Sequence, residues 1–86
     1  MRYTVVWMPR AEQRLAQLWL DASDRPALTR SADTLDAALA RDPLNLGESR
    51  LGPVRVAFEG VLGILFEVSE PDRLVSVLDI WRCDPQ

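Results

Sequence analysis

The chain has 86 residues, 48% of them hydrophobic, and a net charge of −3. That length makes one domain over residues 1–86 and leaves no room for a second. All ten basic residues are Arg, with Lys and His absent, so the chain has no long-range attraction for nucleic acid; any such contact needs a local Arg patch.

A domain of this size buries only about 60% of the surface its unfolded chain exposes, so a partner that covers apolar surface would stabilise it. The exclusive use of Arg fits bidentate oxyanion recognition, but a GC-rich coding sequence, which also accounts for the many Ala residues, explains it more simply. A single cysteine, Cys83, excludes an internal disulfide and fits a reducing compartment. No charged-then-apolar leader is present. The longest apolar run, Val61 to Phe66, falls far short of the ~20 residues a bilayer requires. A soluble, cytoplasmic protein is expected.

Tyr3 to Met8 is apolar at nearly every position, as in a strand covered on both faces. Pro9 ends it and suits a first helical turn. From Arg10 to Ala22, residues Ala11, Leu15, Leu18, Trp19 and Ala22 form one apolar stripe and predict a helix. Ser23-Asp24-Arg25-Pro26 then supplies a turn, with Ser23 or Asp24 as the cap of the next helix. That helix runs from Ala27 to Arg41, with Leu28, Ala32, Leu35, Ala38 and Leu39 on one face, and Asp42-Pro43 stops it. Short linkage makes the two helices an antiparallel hairpin. Asp33 and Asp36 fall on its outer face as solvated charges.

Leu44 to Pro53 reads as a loop, broken by Asn45, Gly47, Gly52 and Pro53. Val54 to Phe58 alternates: Val54, Val56 and Phe58 point one way, Arg55 and Ala57 the other. Glu59-Gly60 is a tight hairpin turn. Val61 to Val68 is apolar on both faces and must be central. Glu70 to Arg73 is a turn, with Pro71 in its second position. Leu74 to Arg82 is the last strand, with Ser76 and Asp79 on opposite faces. The fold class is therefore α+β: a strand, a two-helix hairpin, then a three-stranded antiparallel meander. The helices pack on one face of a sheet of about four strands, whose first strand joins the edge beside the last. The other sheet face lies open although the central strand is apolar there too, which makes that face the expected binding surface.

This order of elements resembles that of the RelE/ParE-type toxins of bacterial type II toxin–antitoxin modules. The resemblance is carried by the opening Tyr3-Thr-Val-Val-Trp-Met-Pro-Arg-Ala-Glu-Gln-Arg-Leu15, by Leu39-Ala40-Arg41-Asp42-Pro43 followed by Gly47 and Arg50, by Arg55, by Phe66-Glu67-Val68 and by Leu74 to Leu78. It covers about residues 3 to 82. It implies a cognate antitoxin as partner and an essential bacterial target. Three activities are open: a gyrase-type poison acting by protein contact, a ribosome-dependent mRNA endoribonuclease with a reduced Arg-based site, and an inactive binding-only relative.

The residues weigh against the nuclease. Cleavage through a 2′-hydroxyl needs a general base, a general acid and a cation for the developing charge. The chain has no His, no Lys and one Tyr, Tyr3. Gly63 and Ile64 stand where the family often has an Arg, and no Tyr or His follows Arg82. Arg55 and Arg82 are candidate charge stabilisers and Glu67 the candidate base, with Arg50, Arg73 and Trp81 as candidate contact residues. The competing reading is that these Arg side chains pair with Glu48, Glu59 or Asp84 on a solvated edge, and it is the more common arrangement. Trp7 and Trp19 are expected in the core, whereas Trp81 fits either core or interface. Cys83 has no base beside it. No Cys/His spacing, calcium loop or phosphate-cradling Gly loop occurs, so no metal or cofactor is expected.

Overall fold

A computed structural model describes residues 2–83. The elements are β1 (Thr4–Trp7), α1 (Pro9–Asp21), α2 (Arg25–Arg41), a 3-10 turn at Pro43–Asn45, β2 (Glu48–Leu51), β3 (Val54–Glu59), β4 (Leu62–Ser69) and β5 (Leu74–Arg82). The strands form one five-stranded sheet in the order β1-β5-β4-β3-β2. β1 joins the edge beside β5, as expected, and runs parallel to it; every other neighbour is antiparallel.

Directly paired residues share a face of a sheet, so the register assigns every side chain. Ala57 pairs with Ile64 and Ile64 with Ile80; Phe66 pairs with Val77 and Val68 with Val75. These side chains are buried together with Ala11 of α1 and with Leu28, Leu35 and Leu39 of α2. Both helices therefore cover this one face. The opposite face carries Val54, Val56 and Phe58 of β3, Gly63, Leu65 and Glu67 of β4, and Ser76, Asp79 and Trp81 of β5.

The register of β5 shifts between Leu65 and Phe66 of β4: Leu65 pairs with Asp79 but Phe66 with Val77, which leaves Leu78 as a bulge. The bulge sends Val75, Val77 and Ile80 to the helix face although their spacing breaks strict alternation. It also puts Ser76 and Asp79 on the same face, not on opposite ones as period-2 counting implied.

The stretch Leu44 to Pro53 is not a loop. It contains the 3-10 turn and a fifth strand, β2, which pairs antiparallel with β3. All four β2 residues are exposed, so the strand has no buried face to impose an apolar alternation, and the Gly and Pro residues read as breakers mark its ends. β1 is likewise not covered on both sides. It has one neighbouring strand and helices on one face only, so Thr4 and Val6 are exposed. α2 begins at Arg25, two residues earlier than the apolar pattern suggested, because Pro26 fits a first helical turn where no backbone donor is needed.

Polar contacts fasten the layers. The Val61 amide donates to the hydroxyl of buried Ser31 at 3.3 Å, tying the β3–β4 hairpin to α2. Asp79, on the open face, takes Arg14 at 3.3 Å and Arg10 at 3.7 Å around the strand edge that β1 leaves free beyond Val77, pinning α1 to β5. The indole of Trp7 donates to Asp36 Oδ1 at 3.1 Å, joining β1 to α2. The hairpin turn at Gly60 has φ +55°, the conformation that turn requires.

Gly63 has a second kind of necessity. It pairs with Phe58 on one side and Trp81 on the other, and these two rings meet edge to face with centroids 6.1 Å apart. A Cβ at Gly63 would lie 2.6 Å from the Trp81 indole. Gly63→Ala is therefore expected to displace Trp81 and cost about 1–3 kcal/mol, measured by urea denaturation alongside a loss of the near-UV circular dichroism signal of the aromatic pair.

Candidate functional site

The six residues singled out from the sequence do not converge. Arg55 shares the helix face with Phe66, its partner on β4, and is half-buried. Its guanidinium donates to the carbonyls of Leu46 and Gly47, each at 3.1 Å, and holds the segment entering β2. Arg82 pairs with Leu62 on that same face, four positions along β4 from Phe66 and on the other side of that strand, which separates the two Arg backbones by roughly 16 Å. Its Nη2 reaches Asp24 Oδ2 at 2.6 Å, in the turn between the helices. Among the described residues Arg55 forms no ion pair with Glu48 or Glu59; Asp84, the third carboxylate proposed from the sequence, lies outside the described residues.

Glu67 is exposed on the opposite face, between Val54 and Ser76. The sheet itself thus lies between Glu67 and both Arg candidates. Arg50 is the bulged residue of β2 and lines a shallow cleft with Glu48, Val56 and Phe58. Arg73 has φ 51° in the β4–β5 turn, and its guanidinium lies over the ring of Tyr3, 5.2 Å from the centroid. Trp81 joins Phe58 on the open face.

Two apolar surfaces stand out instead. One is the open sheet face, where Phe58 is 58% exposed and Leu51, at the β2 edge, 81% exposed. The other is a groove between α1 and α2 with a volume of about 590 Å³. Its lining includes Trp7, Leu15, Trp19, Leu20, Leu28 and Ala32. Trp19 is 42% exposed and not a core residue, and Leu20 is 61% exposed. Arg25 explains part of this: it stacks on the Trp19 ring at 4.3 Å and donates to the carbonyls of Trp19 and Leu20, closing the end of α1. Periodicity assigned Trp19 to the helix stripe but could not tell whether a neighbour covers it. Leu20, an apolar residue off that stripe, was the sequence signal for a second surface. Among the described residues no group of carboxylate, His and Cys side chains is placed to hold a metal ion, and no helix is long and apolar enough to cross a membrane.

The hydrogen bond from Arg82 is the first cause that holds the Asp24 carboxyl below its ordinary 3.8, with partial desolvation opposing it. Asp24 is also the residue before α2, yet its side chain makes no capping bond to the helix and serves Arg82 instead. A depressed carboxylate contributes stability that is present above its unfolded pKa and lost as pH falls through the folded value. Asp24→Asn is thus expected to lower the urea midpoint by a constant amount above about pH 5, with the gap to the native chain closing below the ordinary 3.8. Urea titrations across pH 2 to 7, with those limits set by the ordinary carboxyl range, measure it.

No protein-family model matches the chain, and no curated protein matches it. Solved structures do. The toxin–antitoxin complex RelBE2 from Mycobacterium tuberculosis superposes with a TM-score of 0.80 at 20% identity, over 95% of this chain and 99% of that one. The chromosomal ParDE toxin–antitoxin system from P. aeruginosa gives 0.69 at 13% identity, over 95% and 97%. The archaeal RelE–RelB complex from Pyrococcus horikoshii gives 0.67 at 15% identity, over 100% of both. The likeness covers at least 95% of this chain in each case, so the fold of this chain is the RelE/ParE-type toxin fold.

Proposed function

We propose that the chain is the toxin of a type II toxin–antitoxin module, held by a cognate antitoxin and acting, when free, as a gyrase-type poison through protein contact. The observation that carries the toxin reading is the end-to-end likeness to chains solved within toxin–antitoxin complexes. The domain also exposes two apolar surfaces, more than a chain of this size gains by leaving in water. An antitoxin that covers them stabilises the toxin by mass action.

Contact poisoning is favoured over RNA cleavage by the disposition of the candidate groups. Arg55 and Arg82 are engaged with backbone carbonyls and with Asp24 on the helix side of the sheet. The candidate base Glu67 is on the other side. A guanidinium stays protonated and cannot shuttle a proton. No charge stabiliser and proton acceptor of this set can therefore reach one phosphodiester together. Protein contact needs none of this chemistry, only area and fit.

Induction of the chain alone in a bacterial host is expected to arrest growth, and the purified chain to inhibit supercoiling by DNA gyrase while leaving ribosome-bound mRNA intact. Cleaved message with normal supercoiling would replace the poison reading with the nuclease. Unimpaired growth with abundant soluble protein would remove toxicity itself.

A further inference from the structure

β2 ends the sheet with one long side unpaired: among the described residues β3 is its only neighbour. Its four residues are all exposed. That side leaves its backbone donors and acceptors to water, a template on which a further strand can add. Charge on an edge ordinarily repels such a strand, and here the order of the charges matters. Glu48 pairs with Val56 and shares its open face, whereas Ser49 pairs with Arg55 on the helix face. Arg50, the bulged residue, lines the same shallow cleft as Glu48, Val56 and Phe58. Glu48 and Arg50 therefore lie on one face, about 7 Å apart along the strand, with Ser49 between them. Among the described residues neither is in an ion pair.

We infer that β2 pairs antiparallel with β2 of a second copy of this chain, about a twofold axis through Ser49, with Glu48 of each copy opposite Arg50 of the other. The strand's own sequence selects this register. A twofold axis normal to the sheet keeps every side chain on its face, so residues opposite one another must share a face. A one-residue slip, which sets Ser49 against Arg50, is thereby excluded. Moving the axis to Glu48 sets that carboxylate against its own copy, and moving it to Arg50 does the same to the guanidinium; like charges directly opposite are destabilising. With the axis at Ser49 two opposite-charge pairs form together, and the small Ser49 side chains meet on the other face. Gly47, opposite Leu51 in that register, has no side chain to obstruct it. Both charges are satisfied only by a strand that carries a cation and a carboxylate in reversed order about its centre, and a second copy supplies that with no other component. The two open faces then lie on the same side, so Leu51, 81% exposed, and Phe58, 58% exposed, belong to one surface shared by both copies. The inference concerns the edge of the sheet and does not rest on the toxin reading.

Sedimentation equilibrium of the whole chain over a concentration series tests this. A pair of four-residue strands lies at the small end of protein interfaces, so a reversible dimer with a dissociation constant of about 10 μM is expected, weakened by added salt. Glu48→Arg and Arg50→Glu each turn both cross pairs into like-charge pairs, and each is expected to weaken the dimer about tenfold or more. Both positions are exposed, and circular dichroism checks that the variants stay folded. Mixing the two variants is expected to restore association, since every cross pair then joins a cation of one to a carboxylate of the other. The double variant Glu48→Arg/Arg50→Glu is expected to dimerise like the native chain. A monomer throughout the series overturns the inference. So does a dimer that neither single variant weakens, because another surface then holds it. A loss in both variants that mixing does not reverse overturns it as well, because the two strands then do not meet about Ser49.

Discussion

β5 has to satisfy three neighbours at once, and the bulge at Leu78 is how it does so. Along its length it pairs with β4, over its first half it carries β1 at its outer edge, and α1 packs on its second half. A strictly alternating strand could not present Val75, Val77 and Ile80 to the same core. The unpaired Leu78 resets the phase, so the core row stays continuous where one covering element gives way to the next. The same reset puts Asp79 on the open face, where Arg10 and Arg14 of α1 reach it around the strand edge. The docking of the first helix on the last strand depends on this one irregularity.

With the helices committed to a single face, the domain is left short of cover elsewhere. The open sheet face retains Val54, Leu65, Phe58 and Trp81, and the helical hairpin retains Trp19 and Leu20 on its outside. Local devices limit the exposure without removing it. Gly63 lets Phe58 and Trp81 pack edge to face across β4, and Arg25 lies on Trp19. Each hides part of a ring by means of a neighbour already in place. What is left is apolar area of the kind that a partner protein covers.

The arginines show how residue type and residue role separate. Arg55 and Arg82 have the charge a phosphate-binding surface would need, yet their guanidinium groups meet backbone carbonyls and Asp24. The pairing of Arg82 with Asp24 links the last strand to the turn between the helices, residues far apart in sequence, and it takes the carboxylate that would otherwise cap α2. The exposed patches of this chain are accordingly apolar, and Arg10, Arg14, Arg25, Arg55 and Arg82 hold its elements together.

The apolar stripes of Arg10 to Ala22 and Ala27 to Arg41, the Gly60 turn and the unbroken run of β4 made the helices, the meander and the central strand legible without coordinates. Each is dictated by period and by local backbone preference. β2 was not legible, because a strand exposed at every residue carries no alternation, and neither was the bulge, which depends on what β5 must touch. The candidate residues fared by the same division. The sequence by itself determined which side chains are apolar, charged or unable to move a proton. Only the tertiary structure decided that Arg55 and Arg82 lie across the sheet from Glu67, that Asp33 and Asp36 border a groove rather than plain solvent, and that Trp19 is half uncovered. Those facts belong to the pairing of distant elements, and side-chain period along one element carries no record of what packs against it.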